Sequence, residues 1–330
     1  AKDWTLAPPW DANYPNRNAW DGSGLYTDDH LVTGWPKLPE SAYGDLSLRV
    51  NSTGHEGFSL SGFSTIADKR LTLMWGGRHD QVNNPNVKQN IWQLGAIYKL
   101  TEHWHPFINH GTTFQGNGVG RSGEVLPPES GESTEAGVKF QFLDKGLSGS
   151  FSYFSSERKN TLEFIDLIED GVKVGEINVA DGGEESKGVE LDIIGSIDHW
   201  KFFFSASYYD HQIAESDTNP IELGQSLRYG ADKMALLFSK YRFHSGVFRG
   251  LTIGFGANYR SDIRVGDSIQ QHRADSRTLL DGLVQYTFQH GGSDVEFSLN
   301  LFNITDKDYV DRGQGWGEPF SAALGCRITF

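Results

Sequence analysis

Three histidines, His103, His105 and His110, lie close together in the chain, and a His-x-His pair on a strand can set two imidazoles on one face as the start of a metal site. Here the pair straddles a turn predicted beside Trp104, and no carboxylate stands at a spacing that would complete the ligand set. No metal site is assigned. Carboxylates are dense from Glu157 to Glu185, and a glycosidase needs two of them on either side of a sugar. Their interleaving with Lys159, Gly171, Lys173, Gly182 and Gly183 reads instead as a solvated hairpin extension. A Gly-x-Ser-x-Gly elbow, a phosphate loop and a His-Glu-x-x-His helix are all absent, so no enzyme is expected. What the chain does offer is binding chemistry: aromatic rings for apolar and stacking contact, and arginines whose planar forks match anionic oxygens.

Composition narrows what carries these side chains. The 330 residues include 39 Gly, 21 Phe, 12 Tyr and 9 Trp but only 2 Met, which suits strands and turns better than a helical bundle. Lys and Arg number 29 against 43 Asp and Glu, and the net charge of -14 repels a phosphate backbone, so nucleic acid is not an expected partner. Cys326 is the single cysteine, which excludes an intramolecular disulfide framework and a Cys-rich zinc site. Residues 1–10 lack the basic start and apolar run of a signal peptide, and no segment reaches the roughly 18 apolar residues of a membrane helix. That leaves β-barrels untouched, because their strands need only about 9 to 11 residues with apolar side chains at alternate positions.

Such alternation is present. Leu251, Ile253, Phe255, Ala257 and Tyr259 share one face of an extended segment, with Thr252, Gly254, Gly256, Asn258 and Arg260 on the other. Phe320, Ala322, Leu324, Cys326, Ile328 and Phe330 repeat the pattern at the end of the chain. The pattern predicts thirteen strands near 56–66, 69–81, 90–101, 104–115, 133–143, 146–156, 185–198, 200–213, 228–242, 249–263, 277–289, 294–305 and 319–330. Short connections between them take turns with long ones at 116–132, 157–184, 214–227, 264–276 and 306–318. A soluble sandwich shows the same period of two but has no physical reason to gather its long loops at one end, as an outer-membrane barrel does. Both readings stand on pattern alone.

Several segments, in order, resemble the barrel of TonB-dependent outer-membrane receptors, in the ferric-siderophore branch. Leu71 to Asp80 (LTLMWGGRHD) is similar to the family's strand ending in Gly-Gly-Arg-Tyr-Asp, with His79 for the usual Tyr. Leu126-Pro-Pro-Glu129 followed by Glu135-Ala-Gly-Val-Lys139 resembles its loop-to-strand passage, and Ser186 to Leu191 (SKGVEL) its Ser-x-Gly-x-Glu strand. Asn300 to Tyr309 (NLFNITDKDY) and Gly315 to Pro319 (GWGEP) are similar to the approach to the terminal strand, although Phe320 follows where the family often has Arg. The resemblance runs over about residues 56–330.

The resemblance implies an all-β fold: an antiparallel transmembrane β-barrel, of which this chain holds about 13 strands of a larger barrel, in the bacterial outer membrane. It implies a receptor that imports a ferric siderophore into the periplasm, powered by the TonB energy-coupling complex acting through a plug domain. Nothing in residues 1–55 resembles that plug or its TonB box, so the chain is expected to be the C-terminal part of a longer protein, with 1–55 a long extracellular loop region and 56–330 the barrel portion. For a chelate the expected contacts are Trp10, Tyr14, Trp20, Trp92, Phe114, Arg121, Tyr209, Arg264, Arg273 and Trp316. Glu135, Lys139, Glu190, Asp192, Arg260 and Arg327 fall on polar faces and are expected to point into the lumen, toward one another or the plug. Phe330 is the expected signal to the barrel-assembly machinery, and outer-membrane lipid is the expected surround. No cofactor is expected, iron arriving only within a bound siderophore. The alternatives are another cargo (cobalamin, haem or an oligosaccharide), a passive porin, and a soluble β-sandwich that binds carbohydrate.

Overall fold

The computed structural model describes residues 55–83, 86–120, 123–169, 172–265, 272–311 and 315–330. The first strands are β1 (His55–Ile66), β2 (Leu71–Asn83), β3 (Asn86–Tyr98), β4 (Trp104–Gln115) and β5 (Glu129–Phe142). There follow β6 (Leu147–Glu169), β7 (Val172–Ile197), β8 (Trp200–Ser216), β9 (Lys233–Arg242) and β10 (Leu251–Arg260). A short pair, β11 (Ile263–Arg264) and β12 (Arg273–Ala274), precedes β13 (Arg277–His290) and β14 (Ser293–Phe302). A second short pair, β15 (Val310–Asp311) and β16 (Gly315–Trp316), leads into β17 (Ser321–Thr329).

Thirteen of these strands form one sheet in the order β1-β2-β3-β4-β5-β6-β7-β8-β9-β10-β13-β14-β17, each antiparallel to its neighbours. The thirteen expected strands are therefore present. The largest boundary differences fall at two places. Residues 157–184, expected as a connection, are mostly strand: β6 and β7 stay paired up to Glu169 and Val172, through irregularities near Lys159 to Leu162 and Leu167. β9 begins at Lys233, so residues 228–232 belong to the preceding connection. The first and thirteenth strands of an all-antiparallel sheet run the same way, and β1 does not pair with β17. Closing this sheet into an antiparallel barrel takes an odd number of further strands.

Directly opposed residues share a face, so the register joins each strand's apolar positions into one continuous band. Phe151 opposes Leu191, Leu191 opposes Ala206, Phe204 opposes Leu237, Ala257 opposes Leu237 and Leu280, and Leu299 opposes Val284 and Leu324. This band is the exposed side: Ile253 and Phe255 are 48% and 45% exposed, while Thr252 on the other face is 5% exposed. A soluble sandwich buries its apolar face, so that alternative is overturned. A single sheet can enclose its polar face only by curving toward it.

Strand alternation sorts the connections between two ends. Residues 67–70, 99–103, 143–146, 198–199, 243–250 and 291–292 turn at one end, where Trp104 packs on Phe140 and Phe142, and Tyr241 on Trp200 and Phe243. The connections at 217–232, 261–276 and 303–320, and the projecting β6–β7 hairpin, lie at the other. Trp75, Tyr153, Tyr208 and Tyr259 mark the band's upper limit on this side, so the nine residues from Trp200 to Tyr208 cross it, about the length a tilted membrane strand needs.

Candidate functional site

The long connections fold onto one another rather than standing apart. Ile263 in β11 is 1% exposed and packs against Ala231 and Ala274, with Val265 and Val310 at the edge of this small apolar nucleus. Tyr229 N donates to Arg264 O at 2.8 Å, and Ala231 bridges to Ile263, so residues 217–232 are fastened to β11. Arg264 is thereby buried at 3% exposure. Its Nη1 donates to Gln225 Oε1, and its Nη2 stands 4.0 Å from the Glu222 carboxylate, which also accepts from Arg228 at 2.7 Å. Burial pushes the Arg264 guanidinium below its ordinary pKa, Glu222 opposing the shift. Its Nε and Nη2 meet no hydrogen-bond acceptor among the described residues.

Arg264 lies directly opposite Arg273, and one step toward the sheet Arg260 lies directly opposite Arg277. Like charges placed so are unfavourable unless anions intervene. Arg273 donates to Asp262 at 2.5 Å, Arg277 lies over the Tyr309 ring at 4.4 Å and 4.0 Å from Asp311, and Arg260 donates to Val310 O at 3.2 Å. Beside this cluster, at the base of the β6–β7 hairpin, Ser216 Oγ donates to Glu163 at 2.9 Å and Thr218 Oγ1 to Asp181 at 2.5 Å. Burial raises the Glu163 pKa, Ser216 resists, and Asp181, Glu222 and Asp217 raise it further.

Below the rim, the polar face is a wall of paired charge. Arg78 binds Asp80 at 2.7 Å, and Arg158 reaches Glu129 at 2.7 Å and Glu184 at 2.8 Å across three strands. Tyr209 donates to Glu190 at 2.7 Å, and Asn109 to Glu135 at 3.5 Å. Lys139 Nζ lies 4.9 Å from the centre of the Phe107 ring, Asp192 opposes Ser150 and Ser205, and Arg327 opposes Glu296. Glu135, Lys139, Glu190, Asp192, Arg260 and Arg327 all occupy this polar face.

The expected ligand contacts scatter. Tyr209 is on the polar wall, Arg264 and Arg273 meet at the rim, and Trp316 stands 80% exposed on β16. Register puts Trp92 and Phe114 on the apolar face rather than the polar wall, Trp92 packed at a tilt on His110 with ring centres 4.7 Å apart. Their alternation phase, not their aromatic character, decides this. A shallow groove lined by Asn90, Trp92, Thr112, Glu132 and Lys159 opens largely on that face. Trp10, Tyr14, Trp20 and Arg121, with the 1–55 segment up to residue 54, lie outside the described residues. His103, His105 and His110 diverge: His103 contacts Gln141 O from a turn, His105 is on the polar face and His110 on the apolar one. Arg277, Arg228 and Glu222 went unexpected; the signal for Arg277 is the matched four-residue spacing of Arg260 to Arg264 and Arg273 to Arg277 on the two arms of one hairpin.

Residues 3–304 match the family described as TonB dependent receptor-like, beta-barrel. The chain belongs to this family. In an outer-membrane barrel such an apolar band is the outward face, the polar face lines the lumen, and long connections gather at the extracellular end. The ferrioxamine B receptor of Salmonella typhimurium (strain SL1344) is 29% identical over 255 residues, covering 73% of this chain and 35% of that protein. The ferrichrome outer membrane transporter/phage receptor of Escherichia coli (strain K12) is 27% identical over 265 residues, covering 74% and 33%. The chain thus spans about a third of the length of these relatives. The crystal structure of BauA, the ferric preacinetobactin receptor from Acinetobacter baumannii, superposes with a TM-score of 0.71 at 19% identity, over 84% of this chain and 43% of that one, a likeness of fold.

Proposed function

We propose that the full-length receptor binds a ferric siderophore at the extracellular rim and passes it through the lumen to the periplasm, with energy delivered by the TonB complex acting on a plug. The observation that carries this reading is the rim itself: arginines and exposed Trp316 gathered above a charged lumen, in a family whose relatives include receptors named for ferrioxamine B and ferrichrome. The barrel performs no covalent step. Rim and wall side chains select and orient cargo, and no cofactor is required, the iron being cargo.

The test is uptake of radiolabelled iron, presented as a panel of ferric chelates, by cells with and without the full-length gene, under iron limitation. Uptake that needs the gene and collapses when the inner-membrane proton gradient is discharged is the expected result. Gene-dependent entry of assorted small solutes that persists without the gradient would replace this reading with a passive porin. Uptake of cobalamin or haem, with no chelate transported, would retain the transporter and change the cargo.

A further inference from the structure

We infer that the arginine column of the β10–β13 hairpin is an anion-recognition track, and that the cargo is an iron chelate bearing negative charge on carboxylate, catecholate or phenolate oxygens rather than a neutral one. This deepens the reading above and rests on it.

Two independent observations carry the inference. The first is arrangement: Arg260 opposes Arg277 and Arg264 opposes Arg273, so four guanidinium groups climb one hairpin in two facing pairs, from the lumen wall to the rim. Facing like charges weaken a ladder, and a chain of net charge -14 has carboxylates enough to have placed beside them. The carboxylates supplied are few. Glu222 is shared between Arg228 and Arg264, Asp262 serves Arg273, and Asp311 stands at the 4.0 Å limit from Arg277; among the described residues Arg260 donates to a backbone carbonyl and meets Asp262 and Asp311 only through longer-range attraction, as Arg277 does Asp281.

The second is desolvation without full compensation. Arg264 is 97% buried, the complement of its 3% exposure, yet two of its nitrogens find no acceptor among the described residues, and the same holds for the Nε atoms of Arg260 and Arg277. A buried guanidinium with unused donors is costly and persists where an anion completes it. Paired oxygens at the edge of a ferric carboxylate or catecholate complex match such forks two at a time, and a neutral complex offers no charge to match. Arg277, held over the Tyr309 ring with its Cζ 4.4 Å from the centre, has its fork restrained beside that contact.

The test uses the purified full-length receptor in detergent and three iron complexes: a ferric tris-catecholate, a ferric α-hydroxycarboxylate and a neutral ferric trihydroxamate, with affinity read from quenching of intrinsic tryptophan fluorescence. The expected result is preference for one or both anionic complexes, weakening as salt is raised. In the double variant Arg260→Gln with Arg277→Gln that affinity falls about tenfold or more, as loss of charge-assisted hydrogen bonds predicts, and Arg277→Lys retains part of it. Heat-modifiable gel mobility reports whether each variant is folded, and Arg273→Gln, at the exposed end of the column, is the second variant should the double one not fold. Equal affinity for neutral and anionic complexes overturns the inference while leaving siderophore transport intact. So does an unchanged affinity with a lowered unfolding temperature, which would assign the column to an acidic segment of the protein filling the lumen. A folded receptor that binds none of the three complexes overturns the transport reading and this inference with it.

Discussion

The phenolic hydroxyl of Tyr209 donates to the Glu190 carboxylate at 2.7 Å across the lumen face of β7 and β8. The contact is diagonal, for Tyr209 directly opposes Gly188 and Glu190 directly opposes Ser207. Gly188 makes room for it: a Cβ there would stand 2.3 Å from Tyr208 O and 2.9 Å from the Phe154 ring, which itself lies 5.5 Å from that of Tyr209. Packing and hydrogen bond thus fix one another.

Tyr209→Phe keeps the ring and removes the donor, leaving Glu190 with one partner fewer on a partly enclosed wall. The expected loss is about 1–3 kcal/mol, read as a lower denaturation midpoint of the full-length receptor in detergent. An unchanged midpoint would show that water replaces the phenol at no cost.

The lipid band makes a second prediction. Phe255 is in the middle of the outward face of β10, between Leu251 and Tyr259. Phe255→Arg should destabilise insertion by about 2–4 kcal/mol, whereas Val247→Arg, in the periplasmic turn, should cost about 0–1 kcal/mol. Equilibrium folding into phospholipid vesicles distinguishes the two, and equal costs would contradict the assignment of faces.

Why the strands were legible and the rim was not follows from what alternation encodes. A period of two needs only neighbouring residues, and Leu251 to Tyr259 declare their face without reference to any partner strand. Trp92 and Phe114 were chosen for their rings, whose chemistry says nothing of phase, and register sets both on the apolar face. Arg264 gives no local sign of burial: the distant connection 217–232 folds onto it, Tyr229 N on its carbonyl and Gln225 and Glu222 at its guanidinium. The β6–β7 segment was legible as a hairpin extension but not as continuous strand, because it is rich in Glu, Asp and Gly, which have low β propensity but pair readily when carried outward by the sheet below.

Asn303 supports a third prediction, at the start of the connection that bears Tyr309. It is 4% exposed, its backbone has φ of 48°, its side-chain amide donates to Lys307 O at 3.0 Å and Glu318 O at 3.1 Å, and its Oδ1 accepts from Lys307 N at 2.9 Å. Asn tolerates this left-handed conformation better than other side chains with a Cβ. Asn303→Leu loses three hydrogen bonds and adds backbone strain, about 3–5 kcal/mol in all. The expected readout is rapid proteolytic nicking within 304–320 with the barrel still heat-modifiable, and resistance equal to the parent would sink the idea that Asn303 clamps this loop.

Glu163 sets the last prediction, ten residues along β6 beyond Tyr153 and so clear of the lipid band. Its carboxyl is held above its ordinary pKa of 4.5, first by burial and then by Asp181, Glu222 and Asp217, while Ser216 opposes the shift. The folded rim therefore favours the protonated acid. With the folded pKa above the unfolded one, docking of the 217–232 connection onto the hairpin is firmest at pH below 4.5 and loosens as pH rises through the folded value. Glu163→Gln reproduces the acid form, with its amide oxygen still able to accept from Ser216, and should hold the connection firmly at every pH. Amide hydrogen exchange of residues 213–225 should accordingly be faster at pH 7 than the intrinsic rate difference from pH 4 explains in the parent receptor, and that excess should vanish in the variant. An excess that survives Glu163→Gln would assign the pH response to Asp181 or Glu222 instead.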